Sequence, residues 1–208
     1  MSRFITLEGG EGAGKSTQMR LLAEHLRGRG IDVVTTREPG GSPGAEMIRK
    51  LLVEGPADAW DGTTEALLMF AARRDHLVRT IEPALRRGQW VISDRFADST
   101  RAYQGHGHGF DLERIDALYR LAVGSFQPDL TLILDLPVKV GLARAAARRH
   151  AESRYERLGI DFHQRVRDGF RRIAAAEPQR CLLIDADAAV EVVRDRVMQT
   201  VAQRLGIG

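Results

Sequence analysis

The sequence predicts an α/β protein: a three-layer α/β/α sandwich on a five-stranded parallel sheet, with a small Arg-rich lid. Three observations predict it. Five short, nearly continuous apolar runs recur along the 208 residues. Longer segments with helical spacing separate them. A Gly-rich turn joins the first run to the first helical segment. Strands that are apolar at every position are buried on both faces, which calls for helices above and below and for the crossovers of a parallel sheet.

Each element follows from its local pattern. Phe4-Ile5-Thr6-Leu7 is the first strand, and the segment after Lys15 is helical to about Arg29. Residues 31–36 read as a second strand, and helical pattern covers about 45–53 and 64–87. Trp90-Val91-Ile92-Ser93 is a third strand, with a Gly-rich loop following at 104–109. A helix spans about 112–123, a fourth strand 130–134, and a further helix 138–149. After a break near Ser153 and Gly159 come a helix over about 161–175, a fifth strand at 181–184 and a closing helix over 190–204. No repeat or low-complexity linker interrupts the pattern. Residues 1–208 read as a single domain, with the lid at about 148–158.

Composition narrows the class. The formal charge is +3 and the pI about 9.4. The basic excess is arginine, because lysine occurs only at Lys15, Lys50 and Lys139. Arginine recognises planar phosphate oxygens bidentately, so phosphate-bearing partners are expected, either nucleotides or nucleic acid. The single cysteine, Cys181, lies in an apolar run and reads as a buried thiol; one cysteine forms no disulfide within the chain. The first residues lack the apolar core of a signal peptide, and no stretch approaches the roughly 18 apolar residues of a membrane span. A cytoplasmic location without membrane contact is expected.

Gly9-Gly10-Glu11-Gly12-Ala13-Gly14-Lys15-Ser16 fits G-x-x-x-x-G-K-[ST], between a strand and a helix as that motif requires. Glycines let backbone N–H groups turn toward phosphate oxygens, and the helix N-terminus adds its dipole. Lys15 is expected on the β- and γ-phosphates, Ser16 on Mg²⁺, and Thr17 beside them. The expected fold is therefore of the P-loop NTPase type. The chain contains no asparagine, so the Asn-Lys-x-Asp guanine-reading motif is absent and a switch GTPase is disfavoured. Ligands of open α/β sheets bind beyond the carboxyl ends of the strands. Asp94 and Asp135 both close strands there, and either could hold Mg²⁺ through water. Asp135 could equally be a residue of the helix start before Pro137. Arg95, beside Asp94, could reach a phosphate at the same edge or simply pair with a carboxylate.

Four segments carry a resemblance. The P-loop, Thr36-Arg37-Glu38-Pro39-Gly40-Gly41, Leu68-Met69-Phe70-Ala71-Ala72-Arg73-Arg74 and the run from Asp94-Arg95 through Ala102-Tyr103-Gln104-Gly105 come in the order and spacing of bacterial thymidylate kinases, and the chain resembles that family over nearly its whole length. The resemblance implies Arg95 and Arg74 at the acceptor phosphate. It implies Phe70 stacked on the thymine ring with Arg74 along it, Ser99, Thr100 and Gln104 in the acceptor site, and Tyr103 under the sugar, disfavouring a 2′-hydroxyl. Arg37, Glu38 and Pro39 would line the acceptor pocket, and Glu11 would lie near the 3′-hydroxyl and the metal. Adenine contacts fall to Arg144 and the Asp185-Ala186 region. A homodimer is implied as well.

Arg144, Arg148, Arg149, Arg154 and Arg157 crowd one stretch. A solvated basic helix or nucleic-acid patch is one reading. A lid closing over ATP is the other, and the resemblance favours it. In one class of the family the P-loop lacks arginine and the lid supplies it. Glu11-Gly12-Ala13 carries none, so Arg148, with Arg154 second, is expected to provide the cation. The spelling from Arg149 to Glu156 departs from the usual lid. His106 and His108 stand where relatives often show Gly and Arg, and read as solvated.

The expected reaction is ATP·Mg²⁺ plus dTMP giving ADP and dTDP, with Lys15, Arg95, Arg148, Glu11 and Asp94 as the catalytic set and no nucleic-acid partner. Three other readings stay open: a kinase for dUMP or another monophosphate, a P-loop ATPase acting on nucleic acid, and a non-catalytic nucleotide-binding module.

Overall fold

The computed structural model describes residues 2–54, 56, 58–147, 155 and 158–207. Arg148, Arg149, Arg154 and Arg157, the core of the expected lid, lie outside them.

Five parallel strands form one sheet in the order β2-β3-β1-β4-β5: β1 Phe4–Gly9, β2 Val33–Arg37, β3 Trp90–Asp94, β4 Leu130–Asp135 and β5 Cys181–Asp185. The order reverses at β1, whose neighbours β3 and β4 lead away on opposite sides. That is the switch point at which a crevice opens beyond the strand ends. All six residues of β1 are buried, the polar Thr6 and Glu8 among them.

The helices are α1 Lys15–Gly28, α2 Pro43–Val53, α3 Gly62–His76, α4 Glu82–Arg86, α5 Ala97–Thr100, α6 Leu112–Ala122, α7 Val138–Ala146, α8 Ile160–Ala176 and α9 Val190–Leu205. On one face, Leu22 and Leu26 of α1 and Val193, Val197 and Val201 of α9 pack on Ile5, Leu7, Leu132 and Leu134. On the other, α8 sets Phe162, Val166 and Phe170 against Ile133, Cys181 and Tyr103. Cys181 is buried, and burial pushes its thiol up to about 12. Helix starts follow their side chains. Asp61 accepts from the Thr63 and Thr64 amides at α3, and Asp111 from the Glu113 amide at α6.

Two segments differ from the expectation. The helical pattern over 64–87 resolves into α3, a π-helical stretch at Leu77–Ile81 and α4. The loop expected at 104–109 is helical through Gly107, because α5 continues into a π-helical stretch at Arg101–Gly107. Its glycines serve close packing. A Cβ on Gly105 would lie 2.5 Å from Leu112 Cδ2, and one on Gly107 2.6 Å from Phe162 Cε2. His108 is exposed, as expected, while His106 is half-buried. The His108 ring sits 4.6 Å from Phe162, and His106 abuts Gly169 of α8.

Candidate active site

The P-loop leaves β1 at Gly9 and enters α1 through Gly14, whose φ of +87° suits only glycine. Its lysine folds back on it. Lys15 Nζ donates to the carbonyls of Gly9 (3.1 Å) and Gly10 (2.9 Å), and the side chain is 8% exposed. Burial, with Arg95 nearby, lowers Lys15 to about 8. Ser16 Oγ donates to Asp94 Oδ2 at 2.7 Å, so hydroxyl and carboxylate meet at the ends of β1 and β3. The loop also rests directly on α7. A Cβ on Gly12 would lie 1.9 Å from the Gly141 carbonyl oxygen, and one on Gly141 2.4 Å from the Glu11 carbonyl oxygen.

Arg95 is the hub of the acceptor side. Its guanidinium donates to the Gly9 carbonyl (3.1 Å), Ser99 Oγ (3.0 Å), Glu11 Oε1 (3.1 Å) and Tyr103 Oη (2.9 Å). Tyr103 Oη also donates to Glu11 Oε1 at 2.8 Å. Burial pushes the Glu11 carboxyl up, but Arg95, Lys15 and Tyr103 outweigh it and hold Glu11 below its usual range. Burial likewise works against the charge on Arg95; Tyr103, Glu11 and Asp94 reverse that and keep it firmly protonated. The Arg95 backbone has φ +74°, the left-handed region that costs a non-glycine residue roughly 1–2 kcal/mol. Strain of this kind persists where surrounding contacts over-determine it, and it clusters at functional sites.

These groups line one cleft of about 650 Å³ beyond the carboxyl ends of the strands. At its P-loop end lie Lys15, Ser16, Thr17 and Arg144, with Ala186 and Ala188 from the β5–α9 connection and Val190 at the start of α9. Arg144 donates to the Ala186 carbonyl at 3.2 Å. At the other end lie Arg37, Pro39, Arg73, Arg95, Thr100 and Gln104. A phosphate cradle and convergent arginines lining one cleft have the charge to suit phosphorylated ligands.

The thymidylate kinase family profile matches residues 7–197. The chain belongs to the thymidylate kinase family. It is 57% identical over 204 residues to the thymidylate kinase of Caulobacter vibrioides, covering 98% of both chains. It is 56% identical over 206 residues to that of Rhodopseudomonas palustris, covering 98% of this chain and 90% of the relative. A crystal structure of thymidylate kinase from Ehrlichia chaffeensis superposes with a TM-score of 0.79 at 38% identity, covering 96% of this chain and 98% of that one.

Within this thymidylate kinase frame, most of the expected residues come together in the cleft, but α3 presents a different face. Phe70 is buried in the core, edge-on to Tyr119 at 6.5 Å, and does not line the cleft. Arg74 points away, its Nη1 donating to the Ala122 carbonyl at 3.2 Å. Met69 and Arg73 line the cleft instead. The reason is helical phase: 69 and 73 share one face, and 70 and 74 share the next. Arg73 is 2% exposed. Its Nε donates to Glu38 Oε2 (2.8 Å), and its Nη2 to the Phe96 carbonyl and Thr100 Oγ1 (both 3.1 Å). Its Nη1 is buried without a partner. Glu38 thus serves the pocket through Arg73, with its other oxygen on His76 Nδ1 at 2.9 Å. Gln104 Nε2 donates to Glu65 Oε1 at 2.6 Å. Asp135, the other Mg²⁺ candidate, is taken by Arg167 (2.7 Å) and Arg171 (2.8 Å) of α8. Sequence reasoning also missed Arg49, which lines the cleft and donates to the Pro39 carbonyl at 2.6 Å, and Tyr155, whose hydroxyl accepts from Gln104 at 3.3 Å. An arginine among apolar helical positions and an aromatic beside the lid were the signals present.

Proposed function

We propose that this single-domain chain transfers the γ-phosphoryl group of ATP to dTMP, giving ADP and dTDP. The observation that carries the reading is one cleft with Lys15 and Ser16 at one end and Arg95 and Arg73 at the other. Lys15 exchanges the Gly9 and Gly10 carbonyls for the β- and γ-phosphates of ATP. Arg95 exchanges part of its present set for the acceptor phosphate. An oxygen of that phosphate is already anionic and attacks the γ-phosphorus in line, so no strong general base is needed. Catalysis is positioning plus charge neutralisation. The hard oxygens of Ser16 and Asp94 suit Mg²⁺, which supplies neutralisation of the phosphate oxygens when bound. Tyr103 lies under the sugar, and Glu11, held by Tyr103 and Arg95, lies by its 3′-hydroxyl.

Arg73 reads the base. Thymine presents carbonyl acceptors on its edge, and Arg73 Nη1 is a buried donor without a partner. Met69 and Val53 give the methyl an apolar wall. A methyl is worth only roughly 1–3 kcal/mol in such a pocket, so weaker use of dUMP is expected. Arg148, with Arg149 and Arg154, closes the lid.

Two measurements test the reading. ADP production from ATP·Mg²⁺ is assayed with dTMP, dUMP, the other deoxynucleotides, the ribonucleotides and no acceptor. Strong turnover with dTMP, weaker with dUMP and little otherwise is expected. Acceptor-independent hydrolysis would point to an ATPase, and no turnover to a binding module. Lys15→Ala is expected to lower kcat by about 10²–10³-fold while the thermal melt stays as high or rises, since a buried charge is removed. Wild-type kcat in that variant removes the P-loop assignment.

No helix among the described residues is long and apolar enough to cross a membrane. A cytoplasmic enzyme working as a homodimer fits the exposed Met47 and Leu51 on α2, Leu67 on α3 and Leu121 on α6, which a second copy would cover.

A further inference from the structure

Glu8 is a fully buried carboxyl that the proposed mechanism does not use. It is the penultimate residue of β1, with 0% exposure. It grips the two residues around Arg95 that matter for aim. The Phe96 amide donates to Glu8 Oε1 at 2.7 Å, and Ser99 Oγ hydrogen-bonds Glu8 Oε2 at 2.5 Å. Ser99 Oγ in turn accepts from Arg95 Nη1 at 3.0 Å. Two further bonds hold the same turn. The Arg95 amide donates to the Leu7 carbonyl (2.9 Å), and Ser93 Oγ donates to the Arg95 carbonyl (2.7 Å). Of these three attachments of the turn, only Glu8 also reaches the far end of the Arg95 side chain, through Ser99.

We propose that Glu8 is a positioning residue for acceptor binding: it fixes the left-handed turn at Arg95 and, through Ser99, the direction of its guanidinium. The proposal rests on the reading of Arg95 as the acceptor-phosphate ligand. It also gives Glu8 a charge-dependent part. Burial, with Asp98 adding repulsion, pushes the Glu8 carboxyl up to about 8. The groups around it are Arg95 in the turn, Asp98 and Ser99 on α5, and Lys15 from α1; Asp98 is itself held by Arg180 at 2.6 Å. Neutral Glu8 keeps its hydrogen bonds without setting a third carboxylate, beside Glu11 and Asp94, against the guanidinium. Ionised Glu8 competes with the incoming phosphate for Arg95. The folded pKa lies above the ordinary 4.5, so the neutral, binding-competent form holds at low pH and is lost as pH rises through about 8.

The test is dTMP binding without ATP, by calorimetry at pH 7 and pH 9, for wild type, Glu8→Gln, Glu8→Ala and Arg95→Ala. The second ionisation of a phosphate monoester lies near 6, so dTMP stays dianionic across this window. Lys15, also lowered to about 8, titrates in the same window and is coupled to Glu8, so the pair is compared in a Lys15→Ala background as well. Glu8→Gln, an isostere of the neutral acid, is expected to bind as wild type at pH 7 and to lose much less affinity at pH 9. Glu8→Ala is expected to bind about 10-fold or more weakly at both, since it leaves the Phe96 amide without its acceptor. If Glu8→Ala does not fold, the pH comparison between wild type and Glu8→Gln decides alone. Equal pH dependence in those two proteins, or unaltered binding by Glu8→Ala, overturns the proposal. Unaltered binding by Arg95→Ala instead overturns the reading of Arg95 on which it rests.

Discussion

Arg73→Ala is expected to destabilise the fold by about 3–5 kcal/mol, the cost of breaking a buried ion pair from one side. The geometry explains the size. Removing the guanidinium leaves Glu38, 5% exposed, with a buried carboxylate whose remaining side-chain partner among the described residues is His76. It also strips the Phe96 carbonyl and Thr100 Oγ1 of a donor, and removes a cation lying 4.7 Å over the Phe70 ring. Chemical denaturation gives the loss directly. Arg73→Lys keeps the charge but loses the fork, and should fall between. Arg74→Ala is the control, because Arg74 is exposed and, among the described residues, bonds the Ala122 carbonyl at the surface. It should change stability by no more than about 0.5 kcal/mol and leave the KM for dTMP in place. A variant pair in which Arg74→Ala raises that KM and Arg73→Ala does not would reverse the assignment of the α3 face.

Arg148→Ala is expected to lower kcat by roughly 10³–10⁵-fold, the range an arginine on the transferring phosphoryl group commands. Affinity for ATP should change far less, because this cation is needed most when charge spreads over the γ-phosphoryl oxygens. The described P-loop residues between Gly9 and Ser16 contribute one cation, Lys15. Arg95 is engaged at the acceptor end. Arg144 lines the cleft at the donor end, and Arg148 follows it four residues later. Single-turnover kinetics with saturating ATP separates the chemical step from binding and release. Unchanged kcat would remove Arg148 from the mechanism, and a loss confined to Arg154→Ala would move the role there.

Most of the fold could be read in the residues. The central strands β1, β3 and β4 are buried along almost their whole length and announced themselves in runs such as Leu130 to Leu134, while the outer strands β2 and β5 are partly exposed and were marked by shorter apolar runs. The P-loop was legible because its chemistry needs glycines and a lysine at fixed spacing. What failed was rotation about a helix axis. The pairs Phe70/Arg74 and Met69/Arg73 both have i,i+4 spacing, and periodicity alone does not say which stripe meets the cleft. The contact of Arg73 with Glu38, 35 residues away, decides it. The helical Arg101–Gly107 stretch was hidden for a related reason: its glycines, which argue for a loop locally, are set by the side chains of α6 and α8 packed against them. The role of Asp135 likewise depends on arginines from a helix that begins 25 residues later.

The contact between Gly12 and Gly141 has a mechanical consequence. Two peptide backbones meet there with no side chain between them to tilt or repack. The phosphate loop and the first turn of α7 therefore travel as one solid piece. A bulkier residue at either glycine would push the Gly12 and Gly141 backbones apart, and with them the phosphate loop from the start of α7.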